Sequence, residues 1–382
     1  MIKYILLFLS FVLPSFAEKT ICLNMIVKDE SHVITRCLES VKNHIDYWVI
    51  VDTGSTDGTQ KIIKEFLKDI PGELYERPWV DFGHNRDEAL SLAFDKGDYI
   101  LFMDADEKLV LGPDFVKPAL DKDYYYISVR DSDTTFSEYH RFFLVNNHLK
   151  WAWRDVLHEY LLVPSDAKTS EVLKTMRVFT DSDGNRSKDP KKYYKDAAVL
   201  EKALEKDPSN ARYVFYLAQS YHNAEEYELA IKNYERRASM KGVWDKEVFW
   251  SLYTAGKLQE HLKKPQEIFL KNYSKAFESD QTRAEPLYRL ADYFFKNKTF
   301  VLGYIVAKAG LSILMPSDGM YVEHWIYHYG ISLQYANCAF MLGKYDEASE
   351  VYEKLLKRTD LPEDARKLTV NNLLCCKGKQ AK

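Results

Sequence analysis

Two aspartates separated by one residue follow a short apolar run in the first third of the chain. Asp104 and Asp106 come directly after residues 99–103, whose tyrosine, aliphatic and phenylalanine side chains predict a buried strand. Carboxylates on a turn after a strand face in one direction, and hard divalent cations prefer such oxygen ligands. Magnesium or manganese held there could bridge the two phosphates of a nucleotide sugar and neutralise a leaving nucleoside diphosphate.

Two upstream segments place further polar groups at the ends of predicted strands. The first strand ends in Lys-Asp-Glu at 28–30, and the second continues into the run VDTGSTDGT at 51–59, which contains Asp52. A nucleoside is bound by a carboxylate at its ribose or base and by backbone N–H groups at the start of a helix. Ser31 and Asp57 are predicted to be the N-cap residues of the helices that follow.

These polar groups depend on a parallel sheet for their position. Short β-like apolar runs alternate with helical periods, and this βαβα order predicts parallel strands. Strands are expected at 21–27, 47–51 and 99–103, and helices at 31–43, 57–67 and 85–94. In open α/β sheets ligands bind at the carboxyl ends of the strands, which is where Asp52 and the acidic pair should lie.

The order of these motifs resembles a known family. Residues 20 to about 163 look like a family 2 glycosyltransferase with the GT-A nucleotide-sugar fold, in particular the lipopolysaccharide-core glucosyltransferases. The matching blocks are KDE at 28–30, VDTGSTDGT at 51–59, WVDFGHNRD at 79–87 and FMDADE at 102–107. The resemblance implies a metal-dependent transfer of a sugar from a nucleotide donor to an acceptor hydroxyl, with inversion.

The resemblance also implies roles for single residues. Asp104 and Asp106 would meet the ribose and a divalent metal, Mn²⁺ or Mg²⁺, with Asp106 as the direct ligand. Arg86 would hold the base or the diphosphate with its planar donor fork; the alternative is a surface arginine paired with Asp87 or Glu88. The donor-binding residues are then predicted to be Glu30, Asp52, Asp57, Asn85, Arg86 and Asp104.

A later segment at 151–159 is similar to the aromatic, then His-Glu, pattern near the end of such catalytic domains. His158 would complete the metal shell, and Glu159 or Asp155 would remove the proton of the acceptor. A histidine at the end of a strand with a purely structural role is the alternative for His158. Further candidates for the base are Asp131, Asp133 and Glu138.

Past Pro190 the strand patterns stop and helical repeats begin. Residues 217–234, 290–307 and 335–352 share large and small side chains at the same offsets, and the first two of these in chain order lie about two periods of ~34 residues apart. These segments resemble tetratricopeptide repeats. An apparent insertion at 316–330 carries Tyr321, Trp325, Tyr327 and Tyr329, which could bind a ligand or simply pack against neighbouring helices.

Three segments are therefore predicted. Residues 1–17 have the charged, apolar and small-residue order of a signal peptide or a tight signal anchor. Residues 18–188 form the α/β GT-A domain, and 189–376 form an all-α tetratricopeptide-like solenoid. The five cysteines show neither an even framework nor metal-site spacing, so they are expected to be buried or incidental thiols.

The leading hypothesis is a glycosyltransferase whose repeats orient the acceptor, bind a protein partner or mediate self-association. The acceptor would be a glycan, a peptide or a protein. A net charge of −4 gives no support for nucleic-acid binding. The alternative is a catalytically inactive, transferase-like scaffold that binds proteins through its repeats. The expected location is the lumen of the secretory pathway or a membrane anchor, with a cytosolic catalytic domain if the chain is bacterial and uncleaved.

Overall fold

The computed structural model describes residues 18–116, 118–131, 138–240, 244–316 and 319–380. These residues fall into two compact units, one that ends at Lys192 and one that begins at Tyr193. The first is a mixed α/β unit and the second is entirely helical, which confirms the predicted fold class. The predicted signal segment, 1–17, lies outside the described residues.

Eight strands of the described part of the first unit form one sheet. The sheet order is β3-β2-β1-β4-β7-β6-β10-β5, and the strands β3, β2, β1 and β4 are mutually parallel. Strands β8 and β9 form a separate antiparallel pair. The bounds are β1 Ile21–Val27, β2 Tyr47–Asp52, β3 Gly72–Glu76, β4 Tyr99–Phe102, β5 Glu107–Leu111, β6 Tyr124–Asp131, β7 Glu138–Asn146, β8 Ala152–Arg154, β9 Tyr160–Leu162 and β10 Ser170–Thr180.

Helices cover both faces of the parallel strands. On one face α1 (Ile34–Val41) and α2 (Thr59–Phe66) pack on Leu23, Met25 and Ile50; on the other, α3 (Phe82–Leu92) packs on Cys22, Val49 and Ile100. Strands that are buried on both faces read as continuous apolar runs, and this is why the sequence identified β1, β2 and β4. Short 3₁₀ turns lie at Lys42–His44 and Asn185–Lys188.

The predicted starts of the helices need correction. Helix α1 begins at Ile34, so Ser31 is not its N-cap. The backbone N–H of Ser31 donates to the Asp57 carboxylate instead. The residue before α2 is Gly58, in the left-handed conformation with φ 92°, and this glycine rather than Asp57 is the N-cap. Helix α3 begins three residues earlier than expected because Asp81 accepts a hydrogen bond from the His84 N–H and caps it.

The second unit consists of helices that pack in sequential pairs. The predicted repeats at 217–234, 290–307 and 335–352 coincide with the pairs α5 and α6, α9 and α10, and α11 and α12. Small residues such as Ala218 and Ala230 and large ones such as Tyr234 are all fully buried, as the large and small alternation predicted. The bounds are α4 Lys192–Lys206, α5 Ala211–Asn223, α6 Tyr227–Ser239, α7 Asp245–His261, α8 Gln266–Ser279, α9 Glu285–Lys296, α10 Phe300–Gly310, a π-helical turn Ile326–Gly330, α11 Ile331–Met341, α12 Tyr345–Leu356 and α13 Glu363–Gln380.

The described residues contain no helix with the length and apolar character needed to cross a membrane. All five cysteines are free thiols, and four of them are buried while Cys375 is exposed. This agrees with the expectation of buried or incidental thiols.

Replacing Gly83 with alanine should destabilise the first unit. A Cβ at this position would lie 2.3 Å from the backbone carbonyl oxygen of Asp155, which has no room to move away as a side chain would. We expect a loss of about 1–3 kcal/mol of unfolding free energy, the usual effect of overpacking. Thermal or urea unfolding measures it.

The matched control is Gly378→Ala in α13, where an added Cβ has no atom within 4 Å. Alanine should leave stability unchanged there or raise it by up to about 1 kcal/mol. Equal stability of the Gly83 variant and the wild type would contradict the close approach of α3 to residues 154–156.

Candidate active site

The carboxylate of Asp52 lies fully buried at the end of β2. Its Oδ1 accepts hydrogen bonds from the backbone N–H groups of Gly54 at 2.9 Å and Ser55 at 2.8 Å, and Gly54 makes this turn possible with φ 108°. Within the described residues its other oxygen, Oδ2, is buried without a hydrogen-bond partner. A buried acceptor of this kind is costly unless a ligand supplies the missing donor.

Asp57 joins the loops that follow β1 and β2. Its Oδ2 accepts from the Ser31 N–H at 2.9 Å, and its Oδ1 accepts from the hydroxyl of Thr59 at 2.6 Å. Burial disfavours the charge of Asp57, but the hydrogen bonds from Thr59 and Ser31 outweigh it and hold the pKa below its usual range. Both oxygens of this predicted donor-binding residue are therefore used within the protein.

Arg86 on α3 connects two of the predicted site carboxylates. Its Nη2 donates to Asp104 Oδ1 and its Nε donates to Glu159 Oε1, each at 2.6 Å, while its guanidinium lies 5.2 Å from the centre of the Trp153 ring. Burial opposes the charges of Arg86 and Asp104, but their attraction prevails: the pKa of Arg86 is raised and that of Asp104 is lowered. The alternative of a surface salt bridge to Asp87 or Glu88 is not what the geometry shows.

Two charged residues of this site were missed by the sequence analysis. Glu107 is buried, accepts from the Asp104 N–H at 2.8 Å and binds Arg141, whose Nη1 also lies 3.8 Å from Asp104 Oδ2. Burial raises the pKa of Glu107 to about 7. Glu107 could have been identified from its position directly after the Asp-x-Asp triplet. Arg141 lies on β7, and no local sequence pattern predicts that β7 pairs with β4.

Glu30 and Asp106 face a segment that follows β10. The Glu30 carboxylate accepts from the Asn185 N–H at 3.1 Å, and Asp106 Oδ2 lies 3.4 Å from the Gly184 N. Burial, and then the charge of Asp106, raises the pKa of Glu30 to about 7. Arg36 fixes the segment by bonding Asp183 at 2.7 Å. Residues 183–185 were not among the predicted site residues.

Three other predicted residues lie on α3 and in the turn between β8 and β9. Asn85 is buried, and its side chain accepts from the Val80 N–H at 2.9 Å and donates to the Pro78 carbonyl at 3.0 Å, so it braces the entry to α3. Asp155 and His158 lie in the turn between β8 and β9 with φ 76° and 55°. Of the other candidate bases, Asp133 and the side chains of Asp131 and Glu138 lie outside the described residues.

The described part of the chain contains no group of three or more histidine, cysteine, aspartate or glutamate side chains arranged to hold a metal. Asp104 faces Arg86 and Arg141, and Asp106 faces Gly184. Asp104, Asp106 and His158 are thus not brought together as a three-ligand site.

Comparisons with known proteins support the two predicted regions. Residues 22–150 match the family described as glycosyl transferase family 2, and residues 194–242 match the tetratricopeptide repeat. Each unit thus contains a region that is similar to one of these two families.

The names of curated relatives refer to the same two features. The chain is 26% identical over 223 residues to the SPbeta prophage-derived glycosyltransferase SunS of Bacillus subtilis, covering 56% of this chain and 51% of that protein. It is 39% identical over 102 residues to a TPR repeat-containing protein of Synechococcus elongatus, covering 26% of this chain and 23% of that protein. The chain spans about a quarter to a half of the length of the curated relatives it matches.

Among solved structures, TarS residues 1–349 of S. aureus in complex with UDP-GlcNAc align with a TM-score of 0.38 at 14% identity, covering 69% of this chain and 91% of that chain. The C-terminal part of a tetratricopeptide protein from Cytophaga hutchinsonii aligns with a TM-score of 0.38 at 16% identity, covering 50% of this chain and 67% of that chain.

Glu30→Gln should remove part of the pH dependence of stability. Because the pKa of Glu30 in the folded chain is about 7, above the ordinary value of 4.5, the folded state retains a proton that the unfolded state releases. The wild type therefore loses stability as the pH rises between these two values. Glutamine stays neutral and can still accept from the Asn185 N–H, so the variant should lose less stability than the wild type over this pH range.

Unfolding midpoints measured across this pH range provide the test, with Glu39→Gln on the exposed side of α1 as the matched control. The control should follow the wild type. A parallel loss in the Glu30 variant and the wild type would show that Glu30 ionises normally in the folded chain.

Proposed function

We propose that the chain is a glycosyltransferase that moves a sugar from a nucleotide-sugar donor to an acceptor hydroxyl with inversion. The observation that carries this proposal is the buried carboxylate of Asp52, whose Oδ2 lacks a hydrogen-bond partner among the described residues. It lies at the carboxyl end of β2, in the parallel part of the sheet where α/β proteins bind nucleotides. A ribose hydroxyl or a base N–H would supply the missing donor.

Arg86 is the group we assign to the donor diphosphate. Its guanidinium forms a planar fork, and phosphate oxygens match that fork as well as carboxylate oxygens do. In the described structure the fork holds Asp104 and Glu159. A bound diphosphate would compete for the same N–H groups, and any exchange that releases Glu159 would give that carboxylate access to an acceptor proton.

Deprotonation of the acceptor is assigned to Glu159, with Asp155 as the second candidate. In an inverting displacement the base removes the proton from the acceptor hydroxyl as its oxygen attacks the anomeric carbon, and the nucleoside diphosphate leaves from the opposite face. Arg86 and Arg141 place positive charge beside Asp104, where negative charge from the leaving group would accumulate.

Metal dependence is a separate proposal. When bound, Mn²⁺ or Mg²⁺ would neutralise the diphosphate. Asp106 is the predicted ligand, and Asp104 would have to exchange an arginine for the metal.

We propose that the acceptor is a glycan, a peptide or a protein, and that the helical unit orients it or binds a partner protein or a second copy of the chain. Stacked repeats present extended surfaces suited to this role. For location we propose the secretory pathway or a membrane anchor through residues 1–17, with a cytosolic catalytic domain in a bacterium if that segment is uncleaved. An inactive, protein-binding scaffold is the alternative that the following experiment separates.

Nucleotide sugars should stabilise the full chain in a thermal unfolding assay, and Asp52→Asn should abolish most of that shift. A ligand at 100 times its dissociation constant adds about 2.7 kcal/mol to the unfolding free energy. Asparagine retains the oxygen that binds the Gly54 and Ser55 N–H groups, so the fold should persist. Each donor is tested with manganese and with chelator, which decides the metal question.

The control is Asp95→Asn, an exposed residue just beyond the last turn of α3. It should bind donor like the wild type. No shift with any nucleotide sugar in a folded sample would favour the scaffold, and a full shift in the Asp52 variant would remove the assigned role of Asp52.

Arg86→Lys should lower kcat/KM for donor turnover by about tenfold or more, because lysine retains the charge but cannot bond two partners with one planar fork. The control is Arg77→Lys; the Nε of Arg77 also pairs with a carboxylate, that of Glu88, at 2.8 Å. Steady-state kinetics should show a normal rate for the control. Unchanged kinetics of the Arg86 variant would contradict its assignment to the donor.

A further inference from the structure

Helix α10 packs into the helical unit through small residues. Gly303, Ala307 and Gly310 are buried, and their spacing of four and then three positions places them on one side of the helix. A Cβ added to Gly303 would lie 2.8 Å from Cys338 Sγ, and one added to Gly310 would lie 2.9 Å from the side chain of Ile331. Both neighbours belong to α11, so only small side chains fit between α10 and α11 at these positions.

The large aliphatic residues of α10 lie on its exposed side. Val301, Leu302 and Ile305 have 57%, 48% and 56% of their surface exposed. Three residues that follow the helix are exposed as well, and they are Leu311, Leu314 and Met315, with Leu314 at 86%. We call these six residues the aliphatic surface. Single exposed aliphatic residues are common on proteins, whereas a cluster of them marks an interaction site.

The repeat pattern does not require the aliphatic surface. Helices α6 and α12 carry exposed, charged residues at the offsets of Val301 and Ile305, namely Glu228 and Lys232 in α6 and Asp346 and Glu350 in α12. Charged residues are typical of the solvent face of an amphipathic helix. The packing of the repeats therefore does not explain why α10 has aliphatic residues at the same offsets.

The segment that contains the aliphatic surface carries only positive charges. Residues 293–317 include three exposed lysines, Lys296, Lys298 and Lys308, and no aspartate or glutamate. Lys296 pairs with Asp292 at 2.6 Å, so its charge is balanced within the protein. Lys298 precedes α10 and Lys308 lies in its last turn, so a positive charge lies at each end of the helix.

An acidic residue of a neighbouring helix is also balanced by a lysine. Glu347 of α12 accepts from the Tyr304 hydroxyl of α10 at 2.6 Å and pairs with Lys344 at 3.0 Å. The ammonium groups of Lys344 and Lys308 lie 5.1 and 5.6 Å from the centre of the Tyr304 ring. The surroundings of α10 therefore keep a positive balance.

This composition distinguishes between kinds of partner. Protein–protein interfaces are enriched in tryptophan, tyrosine and arginine and depleted in lysine, and none of those three enriched types is exposed in residues 296–315. A second copy related by twofold symmetry would bring the same lysines together, which their repulsion disfavours. Aliphatic side chains bordered by lysines are instead typical of helices that lie on an anionic lipid bilayer.

We propose that the aliphatic surface docks on an anionic lipid bilayer, with its side chains at the boundary between headgroups and acyl chains and with Lys298 and Lys308 beside lipid phosphates. The contact is peripheral and uses α10 as it is folded. The proposal concerns the helical unit alone, so it depends neither on the transferase activity nor on an anchoring role of residues 1–17.

The test measures cosedimentation of the full chain with vesicles of phosphatidylcholine, or of phosphatidylcholine and phosphatidylserine in equal parts. The wild type should bind the anionic vesicles at least about tenfold more strongly, and added salt should reduce this difference. Val301→Asp/Ile305→Glu gives α10 the residues that α12 has at these offsets, Asp346 and Glu350. This α10 variant should bind anionic vesicles at least about tenfold more weakly than the wild type.

The matched control is Leu229→Asp/Lys232→Gln, which makes the same change in net charge on the exposed side of α6. It should bind both kinds of vesicle like the wild type. If the α10 variant fails to fold, Lys298→Gln/Lys308→Gln replaces it. This second variant should lose about tenfold or more of its binding to anionic vesicles and little of its binding to neutral ones.

A fluorophore at position 314 tests whether the aliphatic surface is the part that enters the bilayer. Leu314→Cys is labelled with an environment-sensitive dye in a Cys375→Ser background, since Cys375 is the exposed native thiol. Glu350→Cys in the same background is the control on α12. The emission of the dye at 314 should shift to shorter wavelength with anionic vesicles, and that of the dye at 350 should not.

Three results would overturn the proposal. The first is equal binding of the wild type and the α10 variant to anionic vesicles, and the second is a dye at 314 whose emission does not change. The third comes from sedimentation velocity without lipid: a wild-type dimer that the α10 variant cannot form would assign the aliphatic surface to a second copy of the chain. A wild type that binds no vesicles would likewise exclude the bilayer and favour a protein partner.

Discussion

The charge of Asp104 is the constraint on which the candidate active site depends. A carboxylate at the end of a buried parallel strand must be balanced, and Arg86 balances Asp104 and Glu159 together at 2.6 Å each. The consequence is that β4, α3 and the turn after β8 are held in one arrangement. Removing one partner of such a buried network leaves the others uncompensated, which typically costs about 3–5 kcal/mol. Arg86 can therefore stabilise the fold when no ligand is bound, and it can bind the proposed donor when one is present.

The sequence was a good guide to elements whose pattern is local. The bounds of β1 agreed to the residue and the repeat pairs fell where the large and small side chains recur, because burial on both faces of a strand or between two helices imposes its own periodicity. Helix starts were less predictable: Gly58 and not Asp57 caps α2, since the Asp57 carboxylate is used to join two loops. Capping residues and loop braces have the same chemistry, and only the fold distinguishes them.

The candidate site was predicted in part for a similar reason. Asp52, Arg86, Asp104 and Glu159 were all identified as candidates, and the structure joins the last three directly. Arg141 and Gly184 reach the site from β7 and from beyond β10, so their roles depend on contacts between residues far apart in the chain. Asn85 was predicted to bind the donor, but its side-chain amide makes hydrogen bonds to the loop at 78–80. Spacing indicates which residues share an edge, not how their hydrogen bonds are distributed.

The state of the cysteines has a practical consequence. Burial raises the pKa of Cys22 to about 12 and raises the pKa of Cys37 well above its usual value, and thiolate is the form that reacts with alkylating reagents. Cys338 and Cys376 are also buried, whereas Cys375 lies exposed on α13. The native chain thus carries one thiol well suited to selective labelling, at the far end of the repeats. A fluorophore or spin label placed there would follow the helical unit without any engineered cysteine.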